Sequence, residues 1–152
     1  MPRLNSILVP VDISEPEVAR PALERAVDLA HSMGGSIHLI YVRSLMPVSY
    51  KEFLPPHFDE QQQKDCEEKL AKVAGVIALP KERVSSVVRL GVVYNEVLKE
   101  ANRVAADLIV VGSHRPTMST YLLGSNAATI VRHAKCSVLV VRSNPRTVEE
   151  QP

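Results

Sequence analysis

The sequence predicts an α/β fold, an open sheet of parallel strands with helices on both faces. Three observations carry the prediction. Five short runs rich in Val, Ile and Leu recur along the chain with little apolar/polar alternation, as strands covered on both faces require. The segments between them repeat apolar residues at helical spacing. Strand and helix then alternate through the chain, the pattern of a sheet wound by right-handed crossovers. At 152 residues the chain has the length of one domain, read as spanning 1–152.

The first strand is SILVPV, 6–11, and the helix after it carries Ala19, Leu23, Ala26, Val27 and Ala30 on one face, with Gly34-Gly35 as its stop signal. SIHLIYV, 36–42, is the second strand. Residues 43–60, RSLMPVSYKEFLPPHFDE, hold three prolines and half of the aromatics, and read as a long loop suited to a lid or an interface. Cys66, Leu70, Val73, Ala74 and Ile77 form the stripe of the second helix, which ends near Pro80. VSSVVRL, 84–90, is the third strand, and Val97, Leu98, Ala101 and Val104 mark the third helix. The fourth strand is DLIVVG, 107–112; Asp107 starts it, at the sheet's far end from any ligand site. Ala127, Ile130, Val131 and Ala134 stripe a fourth helix that begins near Ser125, and SVLVV, 137–141, is the fifth strand. The polar tail 143–152 is expected to be flexible.

Composition narrows the function. Hydrophobic residues are 45% and charged residues 23%, ordinary for a globular chain. Eighteen Lys and Arg balance 17 Asp and Glu, so charge gives no reason to propose nucleic-acid or membrane-surface binding. Cys66 and Cys136 lie in apolar patterns and read as buried or half-buried thiols, with no zinc spacing between them. No apolar run reaches the ~18 residues of a membrane helix, and MPRLNSILVPVD lacks a signal peptide's apolar core. The expected compartment is the cytoplasm.

In open α/β sheets, ligands collect at the carboxyl ends of the strands, where strand order reverses. Asp12 follows the first strand directly and serves either as a turn residue or as a carboxylate for a bound base or ribose. Ser14, with Glu17 three residues later, suggests a capping box. Gly91 allows a turn after the third strand. Gly112 ends the fourth strand, and Gly124-Ser125 precede a helix whose N-terminal N–H groups attract phosphate. There is neither a Walker A pattern nor a GxSxG elbow.

ILVPVDIS, ADLIVVGSH, LLGSNAATIVRHA and KCSVLVV, in that order, resemble the universal stress protein family over almost the whole chain, and SHRP…TYLLGSNAA…VRHA is similar to its F/G-type branch. The resemblance implies a Rossmann-like five-stranded parallel sheet of order 3-2-1-4-5. It also implies an adenine-nucleotide site holding ATP, alone or with Mg2+. ATP-binding members carry G-x2-G-x9-G-[S/T]; here Gly112 holds the first position, Arg115 replaces the second glycine, and eight residues separate it from Gly124-Ser125. By the same resemblance Pro10, Val11 and Asp12 would flank adenine and ribose, and Val42 would pack on the base. Gly112, His114 and Arg115 would line ribose and phosphates, and Gly124, Ser125 and Asn126 would hold the phosphate chain. Arg115 offers phosphate a charged fork where a glycine turn would offer N–H groups.

No partner for His114 as a general base is evident, so no catalytic residue is assigned. The expected function is a stress-response regulator acting through nucleotide-dependent conformation. The alternatives are a slow nucleotide hydrolase or transferase and a nucleotide-free interaction module. SVLVV is an unprotected edge, and the family resemblance implies a homodimer through it; apart from that resemblance, the loop 43–60 is a candidate to extend contacts to a tetramer.

Overall fold

A computed structural model describes residues 5–113 and 124–142. Five parallel strands, β1 (Ser6–Pro10), β2 (Ser36–Arg43), β3 (Val84–Leu90), β4 (Leu108–Gly112) and β5 (Ser137–Val141), form one sheet in the order β3-β2-β1-β4-β5. The helices are α1 (Pro16–Met33), α2 (Val48–Lys51), α3 (Phe58–Gly75), α4 (Val93–Arg103) and α5 (Ser125–His133).

Strand alternation sends successive side chains to opposite faces, and both faces are covered. Ile7, Val9, Ile37, Leu39, Leu108 and Val110 meet Ala22, Ala26 and Ala30 of α1 and Leu70 of α3. Leu8, Ile40, Ile109 and Val111 meet Val97 and Ala101 of α4 and Ala127 and Ile130 of α5. Two covered faces are why the strands read as nearly continuous apolar runs. The small residues of α1 let that helix lie close on the central strands.

Punctuation acts where the backbone demands it. Gly34 takes φ 70 as the left-handed cap of α1, and the N–H of Gly35 returns to the Ala30 carbonyl. Gly91, between β3 and α4, has φ 154, and a Cβ there would sit 3.0 Å from the Glu96 side chain. At the opposite end of the sheet, the Asp107 carboxylate accepts the N–H groups of Asn5 and Ser6 at 2.9 and 3.0 Å, which pins the start of β1 beside β4.

Two sequence expectations are corrected. Residues 43–60 are not one long loop: β2 runs to Arg43, α2 occupies Val48–Lys51 and α3 starts at Phe58. The prolines flank these turns rather than interrupt them, Pro47 preceding α2 and Pro55-Pro56 preceding α3. The Ser14–Glu17 capping box does not form. Asp12 Oδ1 accepts both the Ser14 N–H (3.0 Å) and the Ser14 hydroxyl (2.6 Å), and α1 starts at Pro16 with Glu15 at its N-cap. The nearer carboxylate captures Ser14, and proline's fixed φ sets the helix start one turn-position later. The tail 143–152 lies outside the described residues.

Candidate functional site

β1 and β4 are parallel neighbours, and the chain leaves them in opposite directions across the sheet, toward β2 and toward β5. Their carboxyl ends therefore form the switch-point crevice of the fold. Asp12 emerges from β1 and Gly112 ends β4 at the same edge.

The remaining sequence-named residues fall around that edge. Pro10 closes β1, Val11 is buried behind it, and Val42 is buried near the end of β2. Pro10 and Val42 lie on the α4/α5 face by strand alternation, an apolar surface beside the exposed Asp12. Gly124 is the N-cap of α5, followed by Ser125 and Asn126 in its first turn. Among the described residues no side chain caps this helix. Its first internal bond is from the Ala128 N–H to the Gly124 carbonyl, so the N–H groups of Ser125, Asn126 and Ala127 have no acceptor within the helix. Such a helix start is suited to an anion. The Ser113 N–H donates to the Val141 carbonyl at 3.1 Å, tying the exit of β4 to β5. His114 and Arg115 lie outside the described residues.

Asp12 keeps its second carboxylate oxygen free of the Ser14 turn, so turn and ligand roles are compatible in one side chain. Tyr41 lies within electrostatic reach. Burial pushes its hydroxyl above the usual tyrosine value, with Cys66 and Asp12 acting the same way and Arg43 against them. A groove of about 740 Å³ opens beside this tyrosine, between the end of β2, α2 and the start of α3. Arg43 spans its wall, donating to Gln63 at 2.9 Å and to Asp59 at 2.7 Å. Among the described residues no cluster of His, Cys, Asp and Glu could hold a metal ion, and no helix is long and apolar enough to cross a membrane.

A second polar constellation, missed in the sequence, lies beneath α4. Glu100 is only 2% exposed. His38 Nε2 contacts its Oε2 at 2.8 Å, and Arg89 and Arg103 donate to Oε1, Arg89 through Nε at 3.1 Å. His38 Nδ1 lies 2.6 Å from the Ser85 hydroxyl. Burial alone would raise the Glu100 pKa, but the hydrogen bonds and charges of His38 and Arg89 prevail and hold it below the usual carboxylate value. The signal that could have exposed this cluster is helical phase. Glu100 follows Val97 by three residues and precedes Ala101 by one, inside the apolar stripe.

A family model described as "Universal stress protein family" matches residues 4–142. Universal stress protein G of Shigella flexneri is 38% identical over 141 residues, covering 91% of this chain and 99% of its own. Among solved structures, universal stress protein UspA from Lactobacillus plantarum superposes with a TM-score of 0.75 at 22% identity, covering 93% of this chain and 100% of that one. A universal stress protein in complex with cAMP superposes with a TM-score of 0.59 at 20% identity, covering 92% and 98%.

Proposed function

The chain belongs to the universal stress protein family, and from that premise we propose that it is an adenine-nucleotide-binding regulator that acts as a homodimer without proficient catalysis on the nucleotide. One observation carries the reading most. At the switch point, a carboxylate with one oxygen outside the Ser14 turn, an apolar surface from Pro10 and Val42, and a helix start whose first N–H groups have no acceptor within the helix share the carboxyl end of the sheet. The cAMP complex of another universal stress protein supports the same ligand class.

In this reading Pro10 and Val42 face the base, Val11 offers it only backbone, its side chain being buried on the other face, and Asp12 accepts a hydrogen bond from the ribose or base. Gly112 lets the backbone come close. Gly124, Ser125 and Asn126 present the α5 N-terminus to the phosphates, whose negative charge the helix dipole favours. His114 and Arg115, named from the sequence, complete the ribose and phosphate wall. ATP is the ligand, alone or with Mg2+, and its bound form biases the conformation that a partner reads. The open edge of β5, Ser137–Val141, pairs two copies about a two-fold axis. The protein works in the cytoplasm.

Calorimetric titration with ATP tests the reading. Wild-type protein binds, and Asp12→Ala weakens binding about ten- to hundredfold, the worth of a hydrogen bond to a charged group. Equal affinity in the variant removes Asp12 from the site. Failure of wild-type protein to bind added ATP, with no nucleotide released on denaturation, favours the nucleotide-free interaction module. Steady release of product from ATP-Mg favours the hydrolase.

A further inference from the structure

β2, β3 and α4 together hold a cluster that the nucleotide reading does not use. We propose that Ser85 is an activated serine nucleophile, with His38 as its general base and Glu100 as the group that orients His38, able to open small activated esters at the free edge of β3. The geometry has the linkage that such sites require: nucleophile to base at 2.6 Å, base to buried carboxylate at 2.8 Å.

The tautomer follows from the partners. An ionised carboxylate only accepts, so the hydrogen shared with Glu100 belongs to His38 Nε2. In the neutral ring, Nδ1 then carries a lone pair, and the contact with Ser85 is an O–H donated to Nδ1. Glu100 cannot turn away from this task. Its Oε1 is held by Arg89 and Arg103, which leaves Oε2 to His38, and the side chain is almost wholly enclosed. Ser85, in contrast, is exposed. The reactive oxygen faces solvent while the group that orients its base is fixed and dry.

A donor for the developing oxyanion lies next along the chain. The Gly91 N–H donates to the Arg43 carbonyl across the β2–β3 pair. Strand alternation therefore turns the amides of Ser85, Val87 and Arg89 toward β2 and the amide of Ser86 toward the open side. Its N–H stands beside the nucleophile, free of the β2 ladder. Because β3 is an outer strand, the site suits a small activated ester rather than an acyl group needing an enclosed pocket.

In the first step Ser85 Oγ bonds the ester carbonyl carbon and its proton passes to His38 Nδ1. The carbon–oxygen bond to the leaving group breaks, and the departing alkoxide takes that proton. Water, giving a proton to His38, then attacks the acyl carbon; the Ser85 Oγ–carbon bond breaks and Oγ recovers the proton. The sum is ester plus water to acid plus alcohol.

A fluorophosphonate probe reads the first half alone: an Oγ–P bond forms, the P–F bond breaks, fluoride leaves and the proton stays on His38. Intact-mass measurement and peptide mapping of the wild-type chain should find one adduct, on Ser85. Ser85→Ala should remove it, Ser86→Ala should keep it, and His38→Gln should slow it by about a hundredfold, the usual worth of a positioned base. Unfolding wild-type protein in urea should abolish labelling. That comparison decides the matter even where His38→Gln does not fold. The proposal fails if native protein takes no adduct on Ser85, or if urea or His38→Gln leaves its rate unchanged.

Discussion

On one face of the sheet, Ile7, Val9, Leu39 and Val110 pack against alanines of α1 and Leu70 of α3, with no charged side chain in the buried cluster. On the other, Leu8, Ile40 and Ile109 make an equally apolar start, but toward β3 the packing gives way to His38, Arg89 and Ser85 around the buried Glu100. The same strands thus build two kinds of interior. The first depends on area removed from water and on fit, which are indifferent to pH. The second depends on a carboxylate whose burial is tolerable only while its partners stay in place.

The largest effect that tests this contrast belongs to the apolar face. Leu70 is 1% exposed, and Leu70→Ala is expected to cost about 3–4 kcal/mol through lost transfer energy and the cavity left behind. Urea denaturation at pH 7 and near pH 4 should give the same loss. A loss that changes with pH would mean that the two faces are coupled.

Glu100→Ala comes next, at about 3 kcal/mol near neutral pH, the lower end for breaking a buried ion pair because both arginines can reach water. Its sign with pH is set by the depressed pKa of Glu100. A carboxyl whose folded pKa lies below its unfolded value contributes fully above the unfolded value, here about 4.5, and loses the contribution as pH falls through the folded one. Wild-type and variant stabilities should therefore converge below about pH 4.5. Parallel curves throughout would show that Glu100 acts by packing alone.

The apolar face was legible in the sequence and the polar knot was not, for a physical reason. Ala26, Ala30, Cys66 and Leu70 sit at helical spacing in the sequence and are buried together in the fold. The placing of Asp12, Gly112 and Gly124 at element ends could likewise be read, because punctuation and periodicity are local, whereas the strand order came from the family resemblance. The helical phase of Glu100 puts it on the apolar stripe of α4, which could have betrayed its burial, but its partners His38 and Arg89 stand 62 and 11 residues away. The pairing of groups from three elements has no local signature. Ser14 failed differently: a capping box needs its hydroxyl to accept an N–H of the helix's first turn, whereas here the hydroxyl donates to the neighbouring Asp12 carboxylate. In 43–60, proline content suggested a loop, although a proline just ahead of a helix helps to start it.

The smallest effect separates the two arginines that share one oxygen of Glu100. Arg103 is half exposed, at 53%, and sits one helical turn from Glu100, whereas Arg89 is 34% exposed and reaches across from β3. Removing Arg103 leaves Oε1 still bonded to Arg89 and Oε2 to His38, so the buried charge keeps a partner on each oxygen. Arg103→Ala should therefore cost only about 0.5 kcal/mol, the worth of an exposed helical pair, and less still in high salt. Thermal melts at low and high salt measure it. A cost approaching that of Glu100→Ala would mean that the carboxylate needs both arginines, and that the knot is held as one unit by its exposed rim as much as by its buried strand-borne partners.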